Sequence, residues 1–254
     1  MFRPRVIPVL LLKGKGLVKT EKYKKANYIG DPINAVKIFN ELETDELVFL
    51  DINATKENRT ISIDLVREIG DEAYMPFAVG GGIRDLDTAI KLVNTGAEKL
   101  VFNSAFYDSP ELITKVAETI GNQSVVISID VRKNAWGKLA FYTRSGTYNT
   151  KMDPLDVAKK AEELGAGEII LNDIVKESTM LGYNTELIKK ISESVNIPVV
   201  ASCGAGTLDH MKIAVDNGAH AVAAGSMFVY HGPRRAVLIN YPTKEELIEL
   251  FNKG

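Results

Sequence analysis

Residues 79–106, VGGGIRDLDTAIKLVNTGAEKLVFNSAF, are repeated in outline by residues 201–228, ASCGAGTLDHMKIAVDNGAHAVAAGSMF, at a constant offset of 122 positions. Each segment contains an apolar run, a glycine-rich turn and a helical pattern that opens on Leu-Asp. A second apolar run and a turn of small residues ending in Phe follow. A repeat of this kind predicts that one βαβ unit occurs twice in the fold.

Shorter matches extend the repeat towards the start of the chain. Residues 48–53 (VFLDIN) align with 169–174 (IILNDI) at an offset of 121 positions. Residues 9–15 (VLLLKGK) align with 128–134 (SIDVRKN) at an offset of 119. Four strands followed by four similar strands predict a fold made of two halves.

Short runs of Val, Ile and Leu alternate with amphipathic segments along the whole chain. Continuous apolar runs are typical of parallel strands that are covered on both faces. Eight strand–helix units in 254 residues predict an α/β fold, a (β/α)8 TIM barrel of two half-barrels that forms a single domain over residues 1–254. The candidate strands are residues 5–11, 46–52, 75–79, 98–102, 125–131, 168–173, 197–202 and 220–224.

The composition is that of a soluble globular protein, with 45% hydrophobic and 25% charged residues. The 31 basic and 33 acidic residues give a net charge of −2, which argues against nucleic acid or an anionic membrane as the main partner. No stretch approaches the roughly 18 apolar residues that span a bilayer. The single cysteine, Cys203, cannot form an internal disulfide, so we expect a cytoplasmic protein.

Two repeat-related glycine-rich turns fall at the carboxyl ends of the predicted strands, where TIM barrels carry their functional groups. Glycine lets backbone N–H groups approach an anion closely. The turns predict two phosphate cups on opposite sides of the barrel mouth and a phosphorylated small molecule as ligand. Glycines that only permit tight turns are the alternative. The first cup comprises Gly82, Asn103 and Ser104, and the second cup comprises Gly204, Gly225 and Ser226.

Acid–base chemistry is suggested by the repeat partners Leu11 and Asp130, which should face each other across the barrel mouth. Asp130 is a candidate general acid or base, or else a carboxylate tied to neighbouring groups. Asp51, at the end of another strand, is ambiguous in the same way. Lys19 belongs to a lysine-rich loop over residues 13–30, which predicts either a mobile lid over the ligand or a solvated loop.

Neither a nucleophile nor a metal site is indicated. Cys203 has no histidine at a suggestive position beside it, and we interpret it as a small replacement for glycine. His210, His220 and His231 lack metal-ligand spacing. We therefore expect no metal and no cofactor.

Several segments together resemble the cyclase subunit of imidazole glycerol phosphate synthase (HisF), and the likeness covers nearly the whole chain. The resemblance implies a TIM barrel. The segments are RVIPVLLLKGKGLVK (5–19), ELVFLDINAT (46–55), MPFAVGGGIRD (75–85), GAEKLVFNSA (96–105), SIDVR (128–132), GAGEIILNDI (165–174), LGYNTELI (181–188), PVVASCGAG (198–206) and DNGAHAVAAGSMF (216–228).

In that family, ammonia from a HisH-type glutaminase on the N-terminal face of the barrel travels along the axis to a substrate at the C-terminal face. Two opposed aspartates there perform the acid–base work. The resemblance places one of them at Asp130 and a lid lysine at Lys19, whereas Leu11 stands where the other aspartate is expected. Losing a positioned acid–base group typically costs about 10²–10⁴-fold in rate, so we do not expect efficient cyclisation.

The family's ammonia gate maps onto a ring of alternating charges at the opposite end of the barrel, and all four residue types are retained. Glu98 maps to a position that contacts the glutaminase. By contrast, residues 175–184 (VKESTMLGYN) depart from the family pattern at Glu177 and Ser178, beside the second phosphate cup. The gate positions are Arg5, Glu46, Lys99 and Glu168.

An insertion before the last helix, residues 231–242 (HGPRRAVLINYP), resembles HisF-like proteins of the WbuZ type. In those proteins a glutaminase and a sugar amidotransferase work with the barrel to build amidated surface sugars. The resemblance implies His231, Arg234 and Arg235 on the C-terminal face, available to a partner or an anionic ligand. A plain solvated loop is the alternative.

These features lead to one main hypothesis and two others. The main one is a subunit that binds a HisH-like glutaminase and passes ammonia through the barrel to a sugar amidotransferase in surface-sugar biosynthesis, without cyclase activity. The second is an ordinary cyclase subunit of histidine biosynthesis, a lyase that uses Asp130 alone or another acid. The third is a sugar-phosphate isomerase of the related HisA type, and the absence of a carboxylate at position 11 counts against it as well.

Overall fold

Eight parallel strands close into a barrel in the computed structural model, which describes residues 3–134 and 137–252. The remaining positions, including Ala135 and Trp136, lie outside the described residues. The strands in chain order are β1 (Arg5–Lys13), β2 (Gly16–Glu21), β3 (Lys24–Gly30), β4 (Leu47–Asp51), β5 (Phe77–Gly80), β6 (Lys99–Phe102), β7 (Val125–Lys133), β8 (Leu139–Thr143), β9 (Tyr148–Asn149), β10 (Glu168–Asp173), β11 (Val199–Ser202), β12 (Ala221–Ala224), β13 (Tyr230–His231) and β14 (Ala236–Val237).

The barrel strands follow the order β1-β4-β5-β6-β7-β10-β11-β12, and β12 pairs with β1 to close the cylinder. Neighbouring strands within the barrel pair in parallel, as the repeated βαβ pattern predicts. The (β/α)8 TIM barrel is therefore confirmed, and the eight predicted strands are found with bounds that differ by a few residues at most.

The helices alternate with the barrel strands and cover their outer face. They are α1 (Pro32–Glu41), α2 (Ile63–Glu72), α3 (Leu86–Asn94), α4 (Ser104–Asp108), α5 (Pro110–Ile120), α6 (Pro154–Glu163), α7 (Thr185–Ser192), α8 (Leu208–Asp216), α9 (Ser226–Val229) and α10 (Lys244–Asn252). Many begin at a polar cap, since a side-chain oxygen there accepts a hydrogen bond from an amide of the first turn. The capping residues are Asp31, Ser62, Asp85, Asp153, Asn184 and Thr207.

Alternation along each strand separates two apolar regions. One set of side chains packs between the strands and the helices, and Phe39, Phe49 and Phe228 are among its fully buried members. The other set points into the barrel and fills its axis with small and branched side chains. This axial cluster comprises Ile7, Val48, Ala78, Val101, Val126, Ile170, Val200, Ala221 and Ala223, with Val9 and Leu50 packed against it.

The prediction of a long loop over residues 13–30 is wrong. The chain instead forms an antiparallel hairpin, β2–β3, that continues from β1. Residues of β3 are mostly exposed or half-buried and rich in lysine, so this strand lacks the apolar run by which the others were recognised. A second hairpin, β8–β9, continues from β7 in the same way, so the two half-barrels share this extension.

The strand pairing also corrects one offset of the repeat. Leu11 lies beside Leu50 and Asp130 lies beside Asn172, so Leu50 and Asn172 are the equivalent pair, 122 positions apart. The sequence alignment at 121 paired Asp51 with Asn172. A shift of one residue exchanges the two faces of a strand, which is why that alignment placed Asp51 on the wrong face.

The insertion before the last helix forms a short hairpin, β13–β14, and then runs along the outside of the barrel. Tyr241 ends this path: its hydroxyl donates to the Val6 carbonyl oxygen at 2.8 Å, and its ring lies 5.4 Å from that of Phe228. The segment thereby delivers α10 to the barrel wall beside α8. Among the described residues, no helix is both long and apolar enough to cross a bilayer.

Candidate functional site

A cavity of about 850 Å³ opens at the carboxyl ends of the barrel strands. Seven basic and four acidic side chains are among the residues that line it. This excess of positive charge favours an anionic ligand.

Asp130 lies in β7 near the end of its pairing with β10, with only 6% of its surface exposed. Its Oδ1 atom accepts hydrogen bonds of 2.9 Å from Ser128 Oγ and from Asn172 Nδ2, and the Tyr23 hydroxyl also bonds to the carboxylate. Burial raises the pKa of Asp130 from 3.8 to about 6, although these hydrogen bonds oppose the rise. A carboxyl group with this pKa can give or take a proton near neutral pH.

Leu11 also lines the cavity, and among the described residues that line it no carboxyl group other than that of Asp130 is without an ion pair. Of the four carboxylates among the described residues that line the cavity, Asp130 alone is held by neutral donors. The other three form ion pairs. These pairs are Asp51 with Arg59, Asp108 with Arg144 and Glu177 with Lys19.

Asp51 was an ambiguous candidate, and its contacts favour a structural role. Its carboxylate accepts hydrogen bonds from Arg59 Nη1 at 2.5 Å and from Arg59 Nη2 at 3.2 Å. It also accepts the backbone N–H groups of Asn53 at 3.0 Å and Ala54 at 3.1 Å. The group therefore holds the loop after β4 rather than presenting a free proton carrier to the cavity.

The first predicted phosphate cup is assembled as a unit at the cavity wall. Asn103 Nδ2 donates to the carbonyl oxygens of Ser128 at 3.0 Å and Tyr142 at 3.2 Å, while Ser104 Oγ accepts the backbone N–H of Arg144 at 3.1 Å. Gly82 has φ +68°, and a Cβ there would lie 1.9 Å from the Arg59 carbonyl oxygen. Close packing of the backbone therefore explains this glycine by itself, and phosphate binding at the cup stays a prediction.

The second predicted cup is occupied by contacts within the protein. Gly204 is required by packing, because a Cβ there would lie 2.3 Å from the Gly182 carbonyl oxygen. Ser226 Oγ is 2.8 Å from Ser178 Oγ. At Gly225, an added Cβ would lie 3.1 Å from Lys19 Nζ, which shows that the lysine lies over this glycine. Phosphate binding here also stays a prediction.

Lys19 reaches the second cup from the β2–β3 hairpin and is 7% exposed. Its ammonium group forms an ion pair with Glu177, which is 4% exposed and follows β10. The Glu177 Oε2 atom also accepts the backbone N–H of Tyr23 at 3.3 Å. The hairpin is thus fastened to the opposite wall of the cavity.

Cys203 lines the cavity but does not have the character of a nucleophile. Its thiol donates to Asn172 Oδ1 at 3.5 Å, and burial raises the pKa of the thiol well above its ordinary value. Its φ of +69° lies in the region that glycine prefers, which agrees with the interpretation of this residue as a replacement for glycine. Cys203, Asn172 and Asp130 form one hydrogen-bonded series.

Sequence reasoning missed four contributors to the site. Glu177 was noted only as a departure from the family pattern, without its partner. The available signal for Asn172 was its place beside Asp130 once the strands are aligned at the correct offset. The others, Tyr23 and Ser128, carried no signal that distinguished them from neighbouring residues.

At the opposite end of the barrel, the four predicted gate residues form a closed ring of ion pairs. Arg5 bonds to both Glu46 and Glu168. Lys99 Nζ lies 3.0 Å from both carboxylate oxygens of Glu46 and 2.9 Å from Glu168 Oε2. The two glutamates are 3% and 5% exposed. Each of these buried carboxylates is thus paired with both cations of the ring. Glu98 precedes Lys99 on this face and is exposed.

Comparison with known proteins adds sequence relatives to this geometry. The family profile described as "Histidine biosynthesis protein" matches residues 5–233. The Pseudomonas aeruginosa protein provisionally named imidazole glycerol phosphate synthase subunit hisF2 is 46% identical over 248 residues, which cover 97% of this chain and 99% of the relative. Imidazole glycerol phosphate synthase subunit HisF of Streptococcus mutans is 39% identical over 231 residues, or 91% of this chain and 92% of the relative. The HisF subunit of Endomicrobium trichonymphae is 42% identical over 230 residues, or 91% and 88%.

Proposed function

This chain belongs to the family of HisF-type imidazole glycerol phosphate synthase subunits, and on that premise we propose that it conducts ammonia without performing the cyclisation. The observation that carries the proposal is the contrast between a complete charged ring at one end of the barrel and, at the other, Asp130 as the one described cavity carboxylate without an ion pair.

The lower half of the barrel supports ammonia transfer. A ring of paired charges surrounds the axis at this end, and the apolar axial cluster lies next to it along the barrel. Neutral ammonia passes through an apolar channel more readily than an ammonium ion, which would lose its hydration. We propose that a HisH-like glutaminase docks at this face, with Glu98 among its contacts, and that the ring acts as the gate.

The upper half supports the loss of cyclisation. The family's cyclisation uses two proton carriers, and Leu11 stands in the place of one of them. Because a positioned acid or base typically contributes about 10²–10⁴-fold to the rate, the chain is expected to fall short of an active cyclase by at least the lower figure. Asp130 and Lys19 remain the proposed acid–base and lid residues.

We propose that a sugar amidotransferase at the C-terminal face consumes the ammonia in a cytoplasmic route to amidated surface sugars. The β13–β14 hairpin supports a surface for this partner, because it contacts a residue of the cavity wall: Arg235 Nη2 donates to the Ser178 carbonyl oxygen at 3.0 Å. His231 and Arg234 in the same hairpin are exposed.

A second candidate is the cyclase subunit of histidine biosynthesis itself, a lyase. Two observations favour it. Relatives such as the Streptococcus mutans protein are named as subunits of imidazole glycerol phosphate synthase. Asp130, with a pKa of about 6, can serve in turn as acid and as base.

An assay of the purified chain with the ribulosyl-aminoimidazole nucleotide and an ammonium salt separates the two candidates. The Streptococcus mutans HisF subunit is the positive reference, and the Asp130→Asn variant gives the background. We expect turnover close to the background and at least about 100-fold below the reference. Turnover near that of the reference would overturn the proposal and establish the cyclase.

A second experiment tests the proposed partner at the N-terminal face. A HisH-like glutaminase should bind the chain in a calorimetric titration, and the charge reversal Glu98→Lys should weaken that binding. Reversal of the exposed Glu186 on α7, Glu186→Lys, is the matched control and should leave the affinity unchanged. Equal effects of the two variants would remove Glu98 from the proposed interface.

A further inference from the structure

We propose that Glu177 fills the second phosphate cup with a fixed carboxylate, so that the cavity accepts a ligand with one phosphate, held at the first cup, and rejects a ligand with two. The inference rests on the proposed function only in taking the first cup as a phosphate site. It assigns to Glu177 the selection of the ligand class.

The contacts of Glu177 place its carboxylate inside the second cup. Lys19 pairs with Glu177 and at the same time lies over Gly225. The next residue, Ser178, shares a hydrogen bond of 2.8 Å with the hydroxyl of Ser226. The Lys19 ammonium group and the Ser226 hydroxyl, which would contact a phosphate at this cup, are therefore already in contact with the loop that carries Glu177.

The loop is built to hold this position. Ser178 and Met180 have backbone φ values of +63° and +60°, which residues other than glycine rarely adopt. The Ser178 carbonyl oxygen is tied to Arg235 of the β13–β14 hairpin at 3.0 Å. Backbone strain of this kind persists only where the surroundings fix it, and at binding sites it commonly serves the function.

Charge distinguishes the two cups. At the second cup the cation, Lys19, is neutralised by a carboxylate that is 4% exposed. Arg84, which follows Gly82 of the first cup closely in sequence and lines the same cavity, bonds to the side-chain oxygen of Asn58 and, at 3.2 Å, to the Thr55 carbonyl oxygen, which are both neutral groups. The cavity carboxylates Asp51 and Asp108 are each paired with an arginine of their own. Among the described residues no carboxylate pairs with Arg84.

A phosphate group would therefore meet opposite conditions at the two cups. Near the first cup it finds Arg84, an arginine without a carboxylate partner among the described residues. At the second cup it meets the buried carboxylate of Glu177, and like charges that are poorly screened by water repel strongly. The same carboxylate removes the attraction that Lys19 would otherwise exert.

The test compares a sugar monophosphate with a sugar bisphosphate of similar size, ribose 5-phosphate and ribulose 1,5-bisphosphate, by calorimetric titration of the full chain. For the wild type we expect the bisphosphate to bind no more than about threefold more tightly than the monophosphate. In Glu177→Gln, which keeps the shape and frees Lys19, the bisphosphate should gain at least about tenfold while the monophosphate changes little. Glu186→Gln, on an exposed helix face, is the matched control and should behave as the wild type.

Two further variants keep the test decisive if Glu177→Gln does not fold. Ser104→Ala at the first cup should weaken ribose 5-phosphate at least about fivefold, whereas Ser226→Ala at the second should leave its affinity unchanged. A wild type that binds the bisphosphate tenfold or more tightly than the monophosphate would overturn the inference alone. Failure of both sugars to bind would overturn it together with the phosphate assignment of the first cup. The ammonia proposal is judged separately by the cyclisation assay.

Discussion

The two ends of the barrel axis bury charge in opposite ways. At the lower end, Arg5, Glu46, Lys99 and Glu168 form a ring in which each carboxylate meets both cations. At the mouth, Asp130 is just as buried as the glutamates of the ring, but neutral donors surround it and Leu11 lies among the residues of the same cavity.

The two ends differ in the interactions that compensate a buried charged group for the water it loses on folding. A buried ion ring offsets much of that loss through mutual attraction, so its retention can be understood from stability alone. Hydrogen bonds offset only part of the loss at Asp130, as its raised pKa shows. A buried acid that is kept without an ionic partner points to chemistry at the mouth rather than to stability.

Lys19→Met gives the largest expected effect, because it leaves Glu177 buried without its cation. Breaking one side of a buried ion pair typically costs about 3–5 kcal/mol of unfolding free energy. Chemical denaturation near pH 7 measures the loss. The control is Lys190→Met, whose pair with Glu186 is exposed on α7 and should change stability by less than about 0.5 kcal/mol. A loss as small as that of the control would show that the β2–β3 hairpin is not fastened by this pair.

Asp130→Asn tests the mouth through its pH dependence. The carboxyl pKa is raised on folding, so the folded protein binds the proton more tightly, and the wild type loses stability as the pH rises from about 4 to about 6. The variant should therefore be more stable than the wild type by about 2–3 kcal/mol at pH 8, since one pKa unit corresponds to about 1.4 kcal/mol. The gap should close as the pH falls from 6 towards 4.

Asp51→Asn is the matched control for that experiment, because Asp51 is equally buried but paired with Arg59. This variant should lose stability at pH 8, the reverse of Asp130→Asn. The same sign for both variants would contradict the distinction between a paired and an unpaired acid.

Lys99→Met tests the ring, with a smaller effect. Glu46 and Glu168 would keep Arg5 as a shared partner, so we expect a loss of about 2 kcal/mol, less than for an isolated buried pair. Lys99→Arg retains the charge and should cost clearly less. Urea denaturation at two salt concentrations measures both variants. Stability equal to the wild type in Lys99→Met would mean that the ring is not held by its ion pairs.

The fold could be predicted from the sequence because its signals are local and repeated. Each parallel strand, buried on both faces, shows as an apolar run, and each helix begins at a residue able to cap it. The β2–β3 hairpin escaped prediction since its exposed strand, β3, depends on pairing with β2 rather than on burial of its own side chains.

The site was predictable only in part. Leu11, Asp130 and the four ring residues follow from the repeat and the family pattern. The pairing of Lys19 with Glu177 joins residues 158 positions apart, and no local pattern indicates it. The raised pKa of Asp130 likewise depends on which neighbours surround it after folding. Both features depend on contacts between segments that are distant in sequence, and sequence periodicity does not indicate such contacts.

The most direct test of a mouth with one proton carrier is the titration of Asp130, followed by NMR of its labelled carboxyl carbon. The wild type should titrate in one step with a midpoint near pH 6. Leu11→Asp places a second acid in the same cavity and should split the curve into two coupled steps. A wild-type curve that already shows two steps, or a midpoint below about pH 4, would contradict the account, because another charged group would then be coupled directly to the Asp130 carboxylate.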